Sequence, residues 1–155
     1  KYGGLWRVAR DLADAMARLL PPPDRDSLLV PVPLGPRRWR ERGYNQSGAL
    51  AQALGRCWEV PVAHGLRRVR ETASQTALTP TARLANVAGA FALAPDGLTP
   101  GRSPGVSPSS SLLILVDDVF TTGATLAECA RALGRAGATR IAAVTFGRAA
   151  IPDFS

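Results

Sequence analysis

Sulfur and imidazole are scarce in this chain: 155 residues hold two cysteines, Cys57 and Cys129, and one histidine, His64. Those three side chains cannot supply a four-ligand zinc site, and a reduced, cytoplasmic protein is the expectation. No apolar run approaches the roughly 18 residues of a membrane span, and nothing resembles a secretory signal, so no membrane insertion is expected. Lysine is almost missing as well. Lys1 is the only one, and the net charge of +7 therefore comes from arginine. A genome biased toward arginine accounts for the missing lysine but not for the clustering at Arg37, Arg38, Arg40 and Arg42, and again at Arg67, Arg68 and Arg70. Guanidinium forks match phosphate geometry, which favours a polyanionic ligand.

What is present suffices for one domain with a proper core, at 46% hydrophobic content. Its organising stretch is SLLILVDDVFTTGAT, residues 111–125. Five apolar residues, 112–116, suit a strand buried on both faces, as in a parallel sheet. Asp117 and Asp118 follow, then Thr121, Thr122, Gly123, Ala124 and Thr125. Beyond them Leu126, Cys129, Ala130, Leu133 and Ala136 recur at helical spacing until Gly137. A helix start attracts anions, a glycine lets backbone approach a ligand, and threonine hydroxyls add hydrogen bonds. Carboxylates beside such a cradle would repel phosphate, yet they suit sugar hydroxyls or the water shell of Mg²⁺. A ribose carrying a 5′-phosphate satisfies both halves. The competing reading, a strand–helix connection whose threonines merely cap the helix, leaves the two adjacent carboxylates without a purpose.

Around this stretch the chain reads as alternating elements. An amphipathic helix is predicted over 5–20, stopped by Pro21-Pro22-Pro23. A short strand over 27–32 leads through Pro33-Leu34-Gly35-Pro36 into a basic loop, RRWRERGYNQS, and a helix over 45–58. In that loop Arg37 and Arg40 are candidates to meet an anion, or else solvated surface charges. Trp39 and Tyr44 could stack a base, but packing on the domain is the favoured reading. A second strand is expected at 63–66, with His64 a polar residue near its start rather than a catalytic base. Residues 67–91 are polar and threonine-rich up to Pro80, as a flexible loop at about 67–82 would be. A helical turn over 81–85 and a strand over 87–93 follow. The Pro/Gly/Ser-rich stretch 94–110 reads as a mobile insertion inside the domain with almost nothing to bury. A last buried strand is expected at 141–146.

DDVFTTGAT resembles the phosphoribosyl pyrophosphate (PRPP) motif of type I phosphoribosyltransferases. That resemblance implies that Asp117 and Asp118 contact the ribose and that Thr121–Thr125 bind the 5′-phosphate. It implies a single α/β domain over 1–155, with a mostly parallel central sheet flanked by helices and the strand ending at Asp117 central. VPVPL with the basic segment after it resembles the pyrophosphate loop of the same enzymes. The metal expected is Mg²⁺, held through PRPP and water near the acidic pair and not by direct ligation, with no zinc. Arg37, Arg40, Arg68 and Arg70 would meet pyrophosphate or DNA phosphates, and Arg38, Trp39, Arg42 and Tyr44 are further candidates for DNA contact.

RERGYNQS, RVRETASQTAL, ARLANVAGAF and LLILVDDVFTTGATLAECARAL, taken together, are similar to the ComF-type competence proteins. The weight rests on Arg42-Gly43-Tyr44-Asn45-Gln46, Arg68, Thr72, Gln75, Arg83, Asn86 and Phe91. This resemblance implies natural transformation, with incoming single-stranded DNA as a partner and other competence proteins as further ones. It also implies a preceding cysteine-rich zinc module, which the sequence lacks; a start at Lys1 rather than Met fits a fragment. A salvage enzyme transferring 5-phosphoribose from PRPP to a base or amine remains an alternative. So does a docking platform with a relic site, although an intact acidic pair argues against a relic.

Overall fold

The computed structural model describes residues 3–72, 80–95, 97–98 and 109–148. Helix α1 (Gly3–Leu19) turns Ala9, Ala13 and Met16 inward, and the triple proline prevents it from continuing. Strand β1 (Leu28–Pro31) is buried along its whole length. A short helix α2 (Pro36–Arg42) precedes helix α3 (Gln46–Trp58), which ends where Glu59 takes a left-handed conformation. Strand β2 (Leu66–Arg68), helix α4 (Pro80–Val87) and strand β3 (Phe91–Leu93) come next. Strand β4 (Leu112–Phe120), helix α5 (Ala124–Arg135) and strand β5 (Arg140–Arg148) complete the series.

Strands β1, β4 and β5 form a parallel sheet in the order β1-β4-β5, with Leu28 opposite Leu113 and Leu113 opposite Ile141. A parallel bridge from Leu29 to Val62 touches the far side of β1. Strand β4 is central because its apolar run has no polar side to offer water. Side chains alternate across a strand, so its neighbours divide between two cores. Leu113 and Leu115 pack with Leu126, Cys129 and Leu133 of α5. Ile114 and Val116 pack with Met16 of α1 and Leu50 and Leu54 of α3. Helices thus cover both faces, as parallel pairing requires. Beside the sheet, β2 and β3 pair antiparallel, with Arg68 opposite Phe91. Among the described residues no helix is long and apolar enough to cross a membrane.

Several expectations need correction. RRWRERG is a helix and not a loop: Pro36 opens it at the first turn, and Gly43 closes it at φ 74°. Both signals stand in the sequence, and the density of charge obscured them. The second strand begins at Leu66, and 63–65 connect it to the bridge at Val62. Residues 66–68 and 80–87 are regular structure, so the ends of the expected flexible loop are not loop; 73–79 lie outside the described residues. Val87 ends α4, and β3 is confined to Phe91–Leu93. In the proline-rich stretch, Leu98 enters the core and packs against Gly65, while 99–108 lie outside the described residues. Finally, β5 is not buried. Among the described residues it is an edge strand, and Ala142, Ala143 and Phe146 are exposed.

Candidate phosphoribosyl pocket

Asp117 and Asp118 lie within β4, which runs on to Phe120 instead of ending at Asp117. The chain then turns through Thr121 and Thr122 to Gly123, whose φ of 75° and ψ of 0° place it in the left-handed region. A Cβ at Gly123 would stand 2.9 Å from Cε2 of Phe120. Glycine is thus required twice here, by backbone angle and by space. The first hydrogen bond of α5 runs from the Ala127 N–H to the Gly123 carbonyl at 2.8 Å, which leaves the positive end of the helix dipole at the turn. The Thr122 hydroxyl oxygen is buried and has no hydrogen-bond partner among the described residues.

A pocket of about 260 Å³ opens over this corner. Asp117, Asp118, Thr121 and Thr125 form its floor side, and Ser47 and Asn45 come from the start of α3. Arg38, Arg42 and Arg68 bring positive charge to the wall. The arrangement follows from helical spacing: Arg38 and Arg42 are four apart on α2 and share a face. Arg37 lies on another face, where its Nε donates to Glu41 at 2.9 Å and its amide donates to Glu71 at 3.0 Å. Neither Arg37 nor Arg40 lines the pocket. Arg70 donates to the carbonyls of Asn86 and Ala88, a structural tie beside α4. Arg68 is half-buried, lies over the Phe91 ring at 5.3 Å, and donates to the Arg70 carbonyl and the Thr72 hydroxyl. Burial and the neighbouring Arg38 lower its pKa, although it stays a cation. Gln75 and the side chain of Arg83 lie outside the described residues.

The electrostatics of the acidic pair are uneven. Burial, opposed by the Ser47 hydrogen bond and aided by the charge of Asp118, raises the pKa of Asp117 to about 6. Ser47 Oγ donates to Asp117 Oδ1 at 2.8 Å, and the Asp118 amide donates to the same oxygen at 3.0 Å. Asp118 Oδ1 accepts from the Val119 amide at 2.9 Å. A hydrogen bond to a charged acceptor favours the ionised form by about 1.5–3 kcal/mol. Ser47→Ala is therefore expected to move the Asp117 titration upward from about 6, read by carbon-detected NMR of the carboxyl. An unchanged titration would contradict this role for Ser47. Behind the pocket, burial pushes the Cys129 thiol far above its ordinary value, so it is a packing residue and not a nucleophile.

Ser47 and Asn45 were not singled out as site residues by the sequence. Asn45 Nδ2 donates to the Val32 carbonyl at 3.0 Å and so ties the start of α3 to the end of β1. Only the GYNQS motif hinted at either residue. Trp39 and Tyr44 do not line the carboxylate pocket; with His64 they line a separate, larger cavity. Trp39 is 52% exposed, contrary to the expectation that it packs on the domain.

A parallel sheet covered on both faces, with an acidic strand end feeding a glycine turn and a helix, defines the type I phosphoribosyltransferase-like fold. A solved structure described as the allosteric regulatory enzyme of purine biosynthesis superposes with a TM-score of 0.52 over 89% of this chain and 25% of that one, at 18% identity. No protein-family model matches the chain. Among curated proteins, the DNA utilization protein YhgH of Salmonella typhi is 37% identical over 149 residues, 84% of this chain and 58% of the relative. Competence protein F of Haemophilus influenzae is 37% identical over 115 residues, 73% of this chain and 46% of the relative. Competence protein ComFC of Bacillus subtilis is 35% identical over 111 residues, 72% and 40% respectively. These DNA utilization and competence proteins are homologues of the chain, which spans about half the length of the curated relatives it matches.

Proposed function

We propose that the pocket binds PRPP, and that the domain acts in natural transformation on the cytoplasmic side, handling incoming single-stranded DNA. The observation that carries this reading is the convergence of the acidic pair, Thr121 and Thr125 from either side of the Gly123 turn, and three arginines on one pocket. The 5′-phosphate lies at the turn, against the start of α5 and the hydroxyls of Thr121 and Thr125, which line the pocket, whereas the Thr122 hydroxyl is buried away from it. Asp117 and Asp118 accept from the ribose hydroxyls. The pyrophosphate, or a strand phosphate in its place, meets Arg38, Arg42 and Arg68, in preference to Arg37 and Arg70, which are engaged with Glu41 and with the Asn86 and Ala88 carbonyls, and to Arg40, which does not line the pocket.

Among the described residues no three His, Cys, Asp or Glu side chains gather to hold a metal. Two carboxylates beside a pyrophosphate nevertheless fit Mg²⁺, which keeps several waters and shares ligation with substrate phosphates. When bound, it would neutralise charge on the departing pyrophosphate. The chain's own part is to orient the ribose and offset the remaining charge with guanidinium groups. No side chain need become covalently attached.

Calorimetric titration with PRPP and Mg²⁺ tests this reading. Saturable heat is expected from the wild type, and an Arg38→Ala/Arg42→Ala/Arg68→Ala variant should bind at least about 100-fold more weakly, each pairing with phosphate contributing about 1.5–3 kcal/mol. No heat from the wild type would remove the PRPP reading. Pyrophosphate release with one of a panel of bases would turn it toward a salvage transferase.

A further inference from the structure

A cavity of about 590 Å³, larger than the carboxylate pocket, lies apart from it. It opens between α1, α2 and α3, and Trp6, Trp39, Tyr44, Gln52, Arg56 and His64 contribute to its walls. Two of the three tryptophans of the chain stand here half in solvent, Trp6 at 51% and Trp39 at 52%, whereas Trp58 is buried in the core. Exposed indoles gathered in one concavity mark a binding surface. Gln52 and His64 add polar groups, and among the described residues no carboxylate lines the cavity.

Its two ends are both basic. On one side, Trp6 and Arg56 are shared with a second cleft that adds Arg7 and Arg10. On the other side, Asn45 is shared with the pocket that holds Arg38, Arg42 and Arg68. Arginine, aromatic and again arginine groups therefore follow one another across the molecule. A polyanion whose charges are spaced by flat, stackable rings is complementary to that order, and single-stranded nucleic acid is such a polymer. A free nucleotide would use the aromatic centre but not both arginine groups.

We propose that bases of a single strand stack on Trp6, Trp39 and Tyr44 in this cavity while the strand's phosphates run from Arg7, Arg10 and Arg56 to Arg38 and Arg42. The inference rests on the proposed function for its nucleic-acid ligand, and it adds the path. Bases are gripped by their faces, so sequence preference is weak. The strand leads directly to the phosphoribosyl pocket.

Fluorescence anisotropy with a thymidine oligomer of about 20 nucleotides and an abasic oligomer of equal length and charge separates the contributions. Wild type is expected to bind the thymidine strand about tenfold or more tightly than the abasic one. Trp6→Ala/Trp39→Ala should erase that difference while keeping abasic binding and PRPP binding, and Trp6→Phe/Trp39→Phe should restore much of it. Arg7→Ala/Arg10→Ala/Arg56→Ala should weaken both oligomers and flatten the salt dependence. Circular dichroism melting confirms that each variant is folded. Equal binding of the two strands by wild type, or unchanged discrimination in the tryptophan variant, overturns the path. If PRPP binds and neither strand does, the path is wrong and the pocket assignment stands. If the strands bind as expected and PRPP does not, the path stands and the pocket assignment is wrong.

Discussion

Asp117→Asn is expected to raise the melting temperature at pH 7 by about 3–6 °C, for about 1–2 kcal/mol gained, and to weaken PRPP binding about 10- to 100-fold. The two effects share a cause. Burial lifts the pKa of Asp117 from an ordinary 3.8 to about 6, so the folded chain resists its ionisation more than the unfolded chain does. Below 3.8 the group is protonated in both states and costs nothing. Between 3.8 and about 6 the unfolded chain loses the proton first, so stability falls as pH rises, and above about 6 the full cost remains. Each pKa unit corresponds to about 1.36 kcal/mol, which sets a ceiling of about 3 kcal/mol on the cost. Asparagine keeps Oδ1 for its two donors, Ser47 and the Asp118 amide, and removes the charge. It puts an amide donor where the second carboxylate oxygen would accept from a ribose hydroxyl. The stabilisation should fade as thermal melts are taken toward pH 4, where wild-type Asp117 is protonated. A variant no more stable than wild type at pH 7 would show that the carboxylate is not a stability cost kept for a ligand.

Gly123→Ala is expected to cost about 2–3 kcal/mol of stability and to weaken PRPP binding about tenfold or more through a displaced turn. At φ 75° an alanine is strained, and its methyl carbon would meet the Phe120 ring at 2.9 Å. That ring cannot retreat freely, because it packs against the core that α5 shares with β4 and carries the Arg148 guanidinium at 5.9 Å. Gly137 provides the control. Its φ is 93°, but nothing lies within 4 Å of its Cβ position, so Gly137→Ala should cost about 1 kcal/mol and leave binding intact. Chemical denaturation and PRPP titration of the two variants distinguish strain at the pocket from strain elsewhere. Equal behaviour of both would contradict a special role for the Gly123 turn.

Much of this was legible in the chain because the signals are local. The run 112–116 declares a doubly buried strand, the stripe from Leu126 to Leu133 declares α5, and DDVFTTGAT carries the turn between them. What escaped depends on position in space. Arg38 and Arg42 could be separated from Arg37 and Arg40 only once α2 was known to be a helix, because only a helix gives residues four apart a common face. Ser47 lies 70 residues from Asp117 and meets it through the packing of α3 against the sheet. The apolar letters of 141–146 suggest burial, yet β5 is at the edge of the sheet, and pattern alone cannot say which strand ends a sheet. Leu98 shows the same limit inside a proline-rich stretch. One leucine among turn residues carries no periodicity, and Gly65, which leaves room for it, is 33 residues away.

The most direct measurement is an amide-resolved NMR titration of the chain with PRPP and Mg²⁺. Binding at the corner of β4 and α5 predicts saturable shifts at Asp118, Thr121, Gly123 and Thr125 and at the side chains of Arg38, Arg42 and Arg68, with Arg40 and Arg70 unmoved. Saturation with the Thr121–Thr125 amides unperturbed, or shifts centred on another face, would contradict the phosphoribosyl pocket.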